Sequence, residues 1–395
     1  MNKSVTLLVT VTATWAMLWP AANAAPPARP VHHQGTLLLI GGGLDDDNRP
    51  VYERFLTLAA AHGPAHIVIA TAATGDQERE AIARTEALRT WAPRVDIEVV
   101  RRETGTAATV AAIDRATAMF FTGGDQQRIT ARYRPHDQAT PEWEAMRRLL
   151  ARGGVIAGTS AGDAMMGEVM FLGGGSATAL GATPGPAASP PREDDDEEDP
   201  AQLGPRVGPG MRLMPGAISD SHFFERDRIG RLVAALEASG RRLGIGVGED
   251  AAVELDLDSG ELRGISVSES LLIDIRHLRR NGTVRSGVVA RLVAQGDRIR
   301  LADWPMHRAP VPAPSVEPMR VIPVTEPGQN RQLAAWRMFR QARDPASPPM
   351  RQQLQGYTLT VYPAGSGDVA LEINTASATP NASSGSAASS AAAAP

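Results

Sequence analysis

The sequence of 395 residues contains no cysteine, and it has no excess of basic residues. Without cysteine, disulfide bonds contribute nothing to stability, and no metal site can be built from thiolates. The chain has 40 basic and 44 acidic residues, a net charge of −4 and a pI of about 6.1. No broad basic surface therefore indicates nucleic-acid binding, and the function has to be sought in individual motifs.

Two patterns typical of ligand-binding loops are also missing. Residues 41–43 are three glycines, but they lack both the phosphate-loop spacing and the dinucleotide-binding spacing, so we expect a tight turn there. Residues 45–47 are three aspartates without EF-hand spacing, and three adjacent acids cannot all point one way. We therefore expect a solvated turn, and no metal or cofactor.

The first 24 residues have the organisation of a signal peptide. A lysine near the start is followed by an apolar stretch over residues 5–20, and Ala-Asn-Ala occupies residues 22–24. Threonines interrupt the apolar stretch, which is short for a membrane span. We expect cleavage after residue 24 and a secreted or periplasmic protein with no membrane attachment afterwards. A retained anchor is the alternative.

Strand and helix patterns alternate through the first half of the chain. Strands are predicted at residues 36–40, 66–71, 95–100, 117–121 and 155–157, and helices at 51–61, 76–91 and 141–152. Asp76 is a candidate N-cap of the second helix. This alternation predicts an α/β fold, a mostly parallel sheet flanked by helices. Ligands of such sheets bind at the carboxyl ends of the strands.

Composition divides the rest of the chain. We expect an α/β catalytic domain over residues 35–256, interrupted by a disordered insertion at about 173–210 that contains the acidic block 193–199. Strand-like runs at 252–263, 286–301 and 357–373 predict a smaller β-rich portion over residues 257–373 that closes one edge of the sheet. A proline-rich linker at 309–323 lies within it. The Ala/Ser-rich residues 374–395 predict a disordered tail.

A candidate nucleophile is the serine of Gly-Thr-Ser-Ala-Gly at residues 158–162. An apolar strand precedes it, and a helical pattern over residues 161–170 follows. Glycines on both sides allow a sharp turn that exposes the Ser160 hydroxyl, and the N–H of Ala161 can stabilise an oxyanion. An ordinary Gly/Ser turn is the alternative.

A candidate base and two candidate acids follow later in the chain. Of eight histidines, only His222 lies between an apolar run and an amphipathic helix. A neutral imidazole can take the proton of a serine hydroxyl. The alternating Gly/apolar run 244–248 ends at Glu249 and Asp250, and either carboxylate can orient the imidazole.

A second glycine turn lies at the end of the strand 117–121. Gly123 and Gly124 allow close approach of the backbone to a substrate, and their N–H groups can complement that of Ala161 in an oxyanion hole. Gln126 is a candidate for positioning the substrate. A plain glycine-rich turn is the alternative.

These motifs, in this order, resemble those of the cyanophycinases, which are grouped with the aspartyl dipeptidases among the serine peptidases. The resemblance rests on residues 121–126, 158–162 and 248–250 and on His222-Phe223 with Arg226 and Arg228; it covers residues 35–255, and more loosely the chain beyond. It implies a fold like that of the class I glutamine amidotransferases and a triad of Ser160, His222 and Glu249. It also implies acidic substrates: β-aspartyl-arginine units of cyanophycin, or peptides that begin with aspartate.

Two residues depart from the family pattern. Asp163 stands where a small residue is usual, and Ser221 stands where glutamine usually precedes the histidine. Asp163 follows Ser160 by about one helical turn. We therefore expect its carboxylate to bind a cationic group of the substrate, with Asp125 beside the second glycine turn. Capping of the helix after Ser160 is the alternative for Asp163.

The sequence thus predicts an exported serine peptidase of cyanophycinase type that acts on peptides and binds neither nucleic acid nor a membrane. We expect Ser160, His222 and Glu249 to be catalytic, and Gly123, Gly124, Gln126, Ala161, Asp163 and Arg226 to bind the oxyanion or substrate. One alternative is an esterase-like α/β-hydrolase, although such enzymes place the acid before the histidine. Another is a catalytically silent binding protein on the same fold. A homodimer and a monomer both stay open.

Overall fold

The computed structural model describes residues 35–181, 204–304, 320–321, 331–354 and 356–375. Several predicted segments therefore lie outside the described residues. They are the signal peptide 1–24, the acidic block 193–199, most of the linker 309–323 and nearly all of the tail 374–395.

Strands and helices alternate in the first half of the chain, and strands dominate the second half. The strands are β1 (Thr36–Ile40), β2 (His66–Ala70), β3 (Asp96–Val100), β4 (Ala118–Phe121), β5 (Val155–Thr159), β6 (Val169–Gly173), β7 (Arg206–Pro209), β8 (Ala217–Asp220), β9 (Leu243–Val247), β10 (Ala252–Asp256), β11 (Glu261–Gly264), β12 (Ser270–Asp274), β13 (Arg279–Asn281), β14 (Val284–Val293), β15 (Arg298–Arg300), β16 (Arg320–Val321), β17 (Met350–Gln353), β18 (Thr358–Gly365) and β19 (Asp368–Asn374). The helices are α1 (Arg49–Ala59), α2 (Gln77–Trp91), α3 (Thr106–Arg115), α4 (Gln126–Tyr133), α5 (Pro141–Ala151), α6 (Ala161–Ala164), α7 (Ser176–Leu180), α8 (Ile229–Ser239) and α9 (Arg331–Ala342). Asp76 caps α2 as predicted, because its carboxylate accepts from the N–H of Arg79 at 3.1 Å.

The first sheet has the strand order β15-β11-β10-β1-β5-β4-β2-β3. Five neighbouring strands of this sheet, β1, β5, β4, β2 and β3, are all parallel. They are the five strands that the sequence pattern predicts. β10, β11 and β15 add an antiparallel edge. The predicted α/β class, a mostly parallel sheet flanked by helices, is confirmed.

A second large sheet has the order β16-β17-β18-β19-β14-β12-β9-β8, with β13 paired to β14. Except for the parallel pairs β8/β9 and β16/β17, its strands are antiparallel. Strands after residue 256 therefore extend both sheets: β11 and β15 join the first, and β12, β14 and β17–β19 join the second. The domain boundary at residue 256 stays a prediction, although no sheet of the described residues lies wholly beyond it.

Both sheets bury both faces. Along β1, Leu37 and Leu39 belong to one hydrophobic cluster, and Leu38 and Ile40 belong to another that includes residues of α1 and α2. The first cluster also contains Ile245 of β9, so it joins the two sheets. A third cluster covers the other face of the second sheet with α8 and α9. Within the described ranges, no helix has the length and apolar character needed to cross a bilayer.

The helix predicted after Ser160 is much shorter than expected. We predicted it over residues 161–170, but α6 ends at Ala164, and β6 begins at Val169. Gly167 lies between them, where a Cβ would come within 2.8 Å of the Ala217 carbonyl oxygen. A short apolar run such as residues 169–173 is compatible with a buried helix or a buried strand. Here it forms a strand because it pairs with β7.

The insertion predicted at about 173–210 is ordered at both ends. Ser176–Leu180 forms α7, all five residues of which are buried, and Arg206–Pro209 forms β7, which pairs with β6. A glycine outside the insertion allows this close packing: the Cα of Gly230 in α8 lies so close to α7 that a Cβ there would come within 2.6 Å of Leu180. Local composition alone does not reveal such a partner.

Candidate active site

Ser160 occupies a strained turn between β5 and α6. Its φ and ψ are 54° and −112°, a conformation that costs a non-glycine residue about 1–3 kcal/mol. Glycines on either side are required sterically: a Cβ on Gly158 would lie 2.1 Å from the Gly162 carbonyl oxygen, and one on Gly162 would lie 2.6 Å from that of Phe121. The Gly-Thr-Ser-Ala-Gly pattern thus folds as the predicted sharp strand-to-helix turn.

His222 comes from the other sheet and reaches the serine. It follows β8, and its backbone N–H donates to the Gly41 carbonyl at 2.7 Å. Its Nε2 lies 2.8 Å from the Ser160 Oγ, which is hydrogen-bonding distance for a hydroxyl donating to a neutral imidazole. The imidazole is largely buried, with 12% of the side chain exposed.

Glu249 completes the chain of contacts. Its Oε1 lies 2.8 Å from His222 Nδ1, so the carboxylate can accept the Nδ1 proton and leave Nε2 free to accept from the serine. The backbone N–H of Glu249 donates to the Glu225 carboxylate at 3.0 Å. The other candidate acid, Asp250, is directed elsewhere: its Oδ1 accepts from the Asp45 N–H at 3.1 Å and from the Asn48 amide at 2.7 Å.

The three side chains follow the carboxyl ends of strands, but these strands belong to two different sheets. Ser160 follows β5 of the first sheet, whereas His222 and Glu249 follow β8 and β9 of the second. The carboxyl ends of these strands converge because the two sheets share a core. The site therefore forms where the sheets meet.

The turn of residues 41–43 joins these parts, and sequence reasoning missed this role. The Ile40 carbonyl accepts from the Ser160 N–H at 3.0 Å, and the Gly42 carbonyl accepts from the Asp250 N–H at 2.8 Å. A Cβ on Gly42 would lie 2.3 Å from Cε1 and 2.4 Å from Nε2 of His222. Only glycine therefore fits against the imidazole. The three glycines directly follow β1, which is the neighbour of β5, and this position in the sequence could have indicated that they border the site.

Two predicted oxyanion donors lie beside the serine. A Cβ on Gly123 would be 3.4 Å from the Ser160 Cβ and 3.8 Å from its Oγ, so the glycine turn borders the hydroxyl. In the part of the chain that the structure describes, the N–H groups of Gly123 and Ala161 donate no hydrogen bond. Gly124 has φ 132° and packs on the Ala73 carbonyl. These donors are available to a developing negative charge.

Arg226 lies in the segment that follows His222, and Gln126 is the first residue of α4. The backbone N–H of Arg226 donates to the His222 carbonyl at 3.1 Å, and its charge acts on the imidazole. The Gln126 side-chain amide donates to the Phe171 carbonyl at 2.7 Å, so it holds α4 against β6. Substrate binding by either residue stays a prediction.

The expected role of Asp163 in binding a cationic group is not compatible with its position. Its side chain is fully buried, and Oδ1 lies 2.5 Å from the Ser219 hydroxyl. Burial, followed by the charge of Asp220, raises the pKa of this carboxyl well above its usual range. The residue faces β8 beneath the serine turn. Asp125, the other expected carboxylate, is partly exposed and caps α4 by accepting from the Gln127 N–H at 2.8 Å.

The charges and burial around His222 suit a base at neutral pH. Burial lowers the pKa of His222; the Glu249 contact opposes this, and the charges of Arg226 and Arg228 add to it. Burial also raises the pKa of Glu225, with a contribution from the charge of Glu249. His222 is therefore neutral and able to accept a proton under conditions where an ordinary histidine is partly charged.

The described residues hold no group of three or more histidines and carboxylates able to bind a metal ion. The expectation of no metal and no cofactor stays a prediction. The arrangement resembles that needed for acyl transfer: a strained serine, a neutral imidazole, a carboxylate hydrogen-bonded to it and two N–H groups that donate to no other described residue.

Comparisons with known proteins show which family the chain resembles. Residues 37–184 match the model of peptidase family S51. A cyanophycinase of Trichormus variabilis is 30% identical over 279 residues, which are 68% of this chain and 84% of that protein. One of Synechococcus elongatus is 29% identical over 268 residues, 65% of this chain and 74% of that protein. A solved peptidase from an acI-B1 actinobacterium has a TM-score of 0.48 and 16% identity, over 68% of this chain and 98% of that one.

Proposed function

Because the chain belongs to peptidase family S51 with the cyanophycinases, and is therefore a serine-type peptidase, we propose that Ser160, His222 and Glu249 are its catalytic triad. The observation that carries the proposal is the pair of 2.8 Å contacts that link the three side chains in this order. Serine, histidine and acid also occur in this order along the chain, which disfavours the esterase-like alternative.

The reaction follows from the contacts. As the Ser160 Oγ attacks the carbonyl carbon, its proton passes to His222 Nε2, and Glu249 stabilises the resulting imidazolium through Nδ1–H. The oxyanion accepts from the N–H groups of Gly123 and Ala161. His222 then protonates the leaving amine, which departs and leaves an acyl-enzyme. Water, deprotonated by the same imidazole, attacks the ester and restores the serine.

We propose that the substrates are acidic peptides, including the β-aspartyl-arginine units of cyanophycin. Two observations support this: relatives about 30% identical are cyanophycinases, and the charges of Arg226 and Arg228 act at the imidazole. Positive charge beside the scissile bond favours a substrate carboxylate. The burial of Asp163 removes the main support for a separate site for the guanidinium.

A product assay tests the proposal. Purified protein is incubated with cyanophycin, β-aspartyl-arginine, its α-linked isomer and a simple ester, and Ser160→Ala serves as the control. We expect the β-linked substrates to be cleaved, and the loss in Ser160→Ala to be several orders of magnitude. Cleavage of the ester alone would favour an esterase. Full peptidase activity in folded Ser160→Ala would contradict the triad.

We also propose that the protein is exported, on the signal-peptide pattern of residues 1–24. Expression with a C-terminal tag, cell fractionation and N-terminal sequencing test this. A mature N-terminus at Ala25 outside the cytoplasm is expected. An uncleaved chain in the membrane fraction would indicate the anchor alternative.

A further inference from the structure

The segment that follows the catalytic histidine is supported by the C-terminal part of the chain. We call residues 221–228 the His222 loop. The Phe224 ring lies with its centroid 6.3 Å from that of Phe339 in α9. Tyr357, which directly precedes β18, is wholly buried, and its hydroxyl donates to Asp227 Oδ1 at 2.5 Å. Residues of α9 and of the segment before β18, both distant in sequence, thus contact the His222 loop.

Asp227 and His222 are the two residues of the loop with a left-handed backbone, and Asp227 is the one that Tyr357 contacts. The φ of Asp227 is 47°, in the left-handed region that non-glycine residues adopt at a cost in energy. The Ser176 hydroxyl donates to its carbonyl, and the Arg231 N–H donates to that Ser176 oxygen at 3.0 Å. The Tyr357 hydroxyl fixes the carboxylate. Together these contacts hold both the backbone and the side chain of Asp227.

The position of Asp227 affects the base through its two neighbours. Asp227 lies between Arg226 and Arg228, whose charges act on His222 together with that of Glu249. If the loop shifts, the distance of both guanidinium groups from the imidazole changes. The contact between Tyr357 and Asp227 can therefore alter proton transfer without touching the substrate, because it sets the conformation of the loop.

We propose that the described C-terminal residues 331–374 support the active site, and that Tyr357 is a positioning residue for the His222 loop acting through Asp227. Residue 357 lies well beyond residues 37–184, which match the family model. The inference rests on the proposed function, since it assumes that His222 activates Ser160.

A purely structural role for Tyr357 would have a different signature. Its ring belongs to the hydrophobic cluster between the second sheet and α8 and α9, so phenylalanine would keep that packing. Only the hydroxyl would be lost. Tyr362, which lies within β18, is half-buried and supplies a matched control, because no described residue forms a hydrogen bond with its hydroxyl.

The experiment measures the rate of Ser160 labelling by a fluorophosphonate between pH 5 and pH 9. The proteins are wild type, Tyr357→Phe and Tyr362→Phe, each checked for folding by near-UV circular dichroism. We expect Tyr357→Phe to react about tenfold more slowly, which is less than the roughly 100-fold cost of misplacing reacting groups by about 1 Å, because the substitution removes only one support of the loop. We also expect its acid limb to move to higher pH as the two arginines move away from His222. Tyr362→Phe should match wild type.

Several outcomes would overturn the inference. A wild-type rate and pH profile in Tyr357→Phe would do so, as would equal losses in both tyrosine variants. If Tyr357→Phe does not fold, Asp227→Asn takes its place, because asparagine tolerates the left-handed backbone and weakens the same hydrogen bond. An unchanged rate in that variant would likewise overturn it. Failure of wild type to react at Ser160 would instead overturn the proposed function, and this inference with it.

Discussion

Replacing Gly42 with alanine should disable the enzyme while leaving it folded. The new Cβ would lie 2.3 Å from Cε1 and 2.4 Å from Nε2 of His222, whereas ordinary carbon contacts are about 3.5 Å. The imidazole or the turn must therefore move by about 1 Å. A withdrawal of that size stretches the 2.8 Å contact between Ser160 Oγ and His222 Nε2 to about 3.8 Å, beyond hydrogen-bonding distance.

The expected loss follows from this displacement. Misplacing reacting groups by about 1 Å costs about 100-fold in rate, so kcat/KM should fall by at least that factor. The free energy of unfolding should fall too little to unfold the protein. An alanine at the φ of 95° that Gly42 adopts costs about 1–2 kcal/mol, and overpacking costs about 1–3 kcal/mol. Their sum is smaller than the stability of most domains, about 5–15 kcal/mol.

The assay is peptide hydrolysis, with folding checked by thermal unfolding. Gly216→Ala is the matched control, because Gly216 precedes β8 with φ 74° and no atom lies within 4 Å of its Cβ position. It carries the backbone cost without the clash, so it should keep wild-type kcat/KM. Near-normal kcat/KM in folded Gly42→Ala, or an equal loss in Gly216→Ala, would refute the reasoning.

Three other variants or conditions test the site. Glu249→Gln should lower kcat with little change in KM, and Asp250→Asn should be milder because its carboxylate binds Asn48 and not the imidazole; steady-state kinetics showing the reverse order would move the acid to Asp250. Since the pKa of His222 is lowered, chiefly by burial, the acid limb of kcat/KM should lie below the ordinary histidine value of about 6.5, and a limb above it would contradict the account. Burial raises the pKa of Asp163. From about pH 4 upward, the unfolded chain therefore releases the carboxyl proton, whereas the folded chain keeps it. The free energy of unfolding falls as the pH rises from there toward the raised pKa of the folded state. The Tm of Asp163→Asn minus that of wild type should therefore grow from pH 4 to pH 7, whereas a difference independent of pH would contradict a buried neutral acid.

The sequence reveals what depends on short-range pattern. The five parallel strands of the first sheet, the Asp76 cap and the glycine-flanked turn at Ser160 are encoded within a few residues each. Glycine spacing around Ser160 predicts its turn because the clash it avoids, between residues 158 and 162, is local. His222 and Glu249 were recognisable because each ends an apolar strand.

Long-range pairing is what the pattern does not reveal. β9 pairs with β12, so the strand before Glu249 joins a sheet completed by residues far along the chain. Asp163 looks like a surface helix residue locally, but α6 ends one residue later and β8 covers it. Contact between Gly42 and His222 spans 180 positions in sequence, and only the shared core of the two sheets brings them together.

The central claim is that Ser160 is a nucleophile activated by His222. Mass spectrometry of the intact protein and its peptides after fluorophosphonate treatment tests it most directly, because it needs no knowledge of the substrate. The account predicts one adduct, on the peptide that contains Ser160, with labelling lost in Ser160→Ala and strongly slowed in His222→Ala. An adduct on another residue, or undiminished labelling of folded Ser160→Ala, would contradict it.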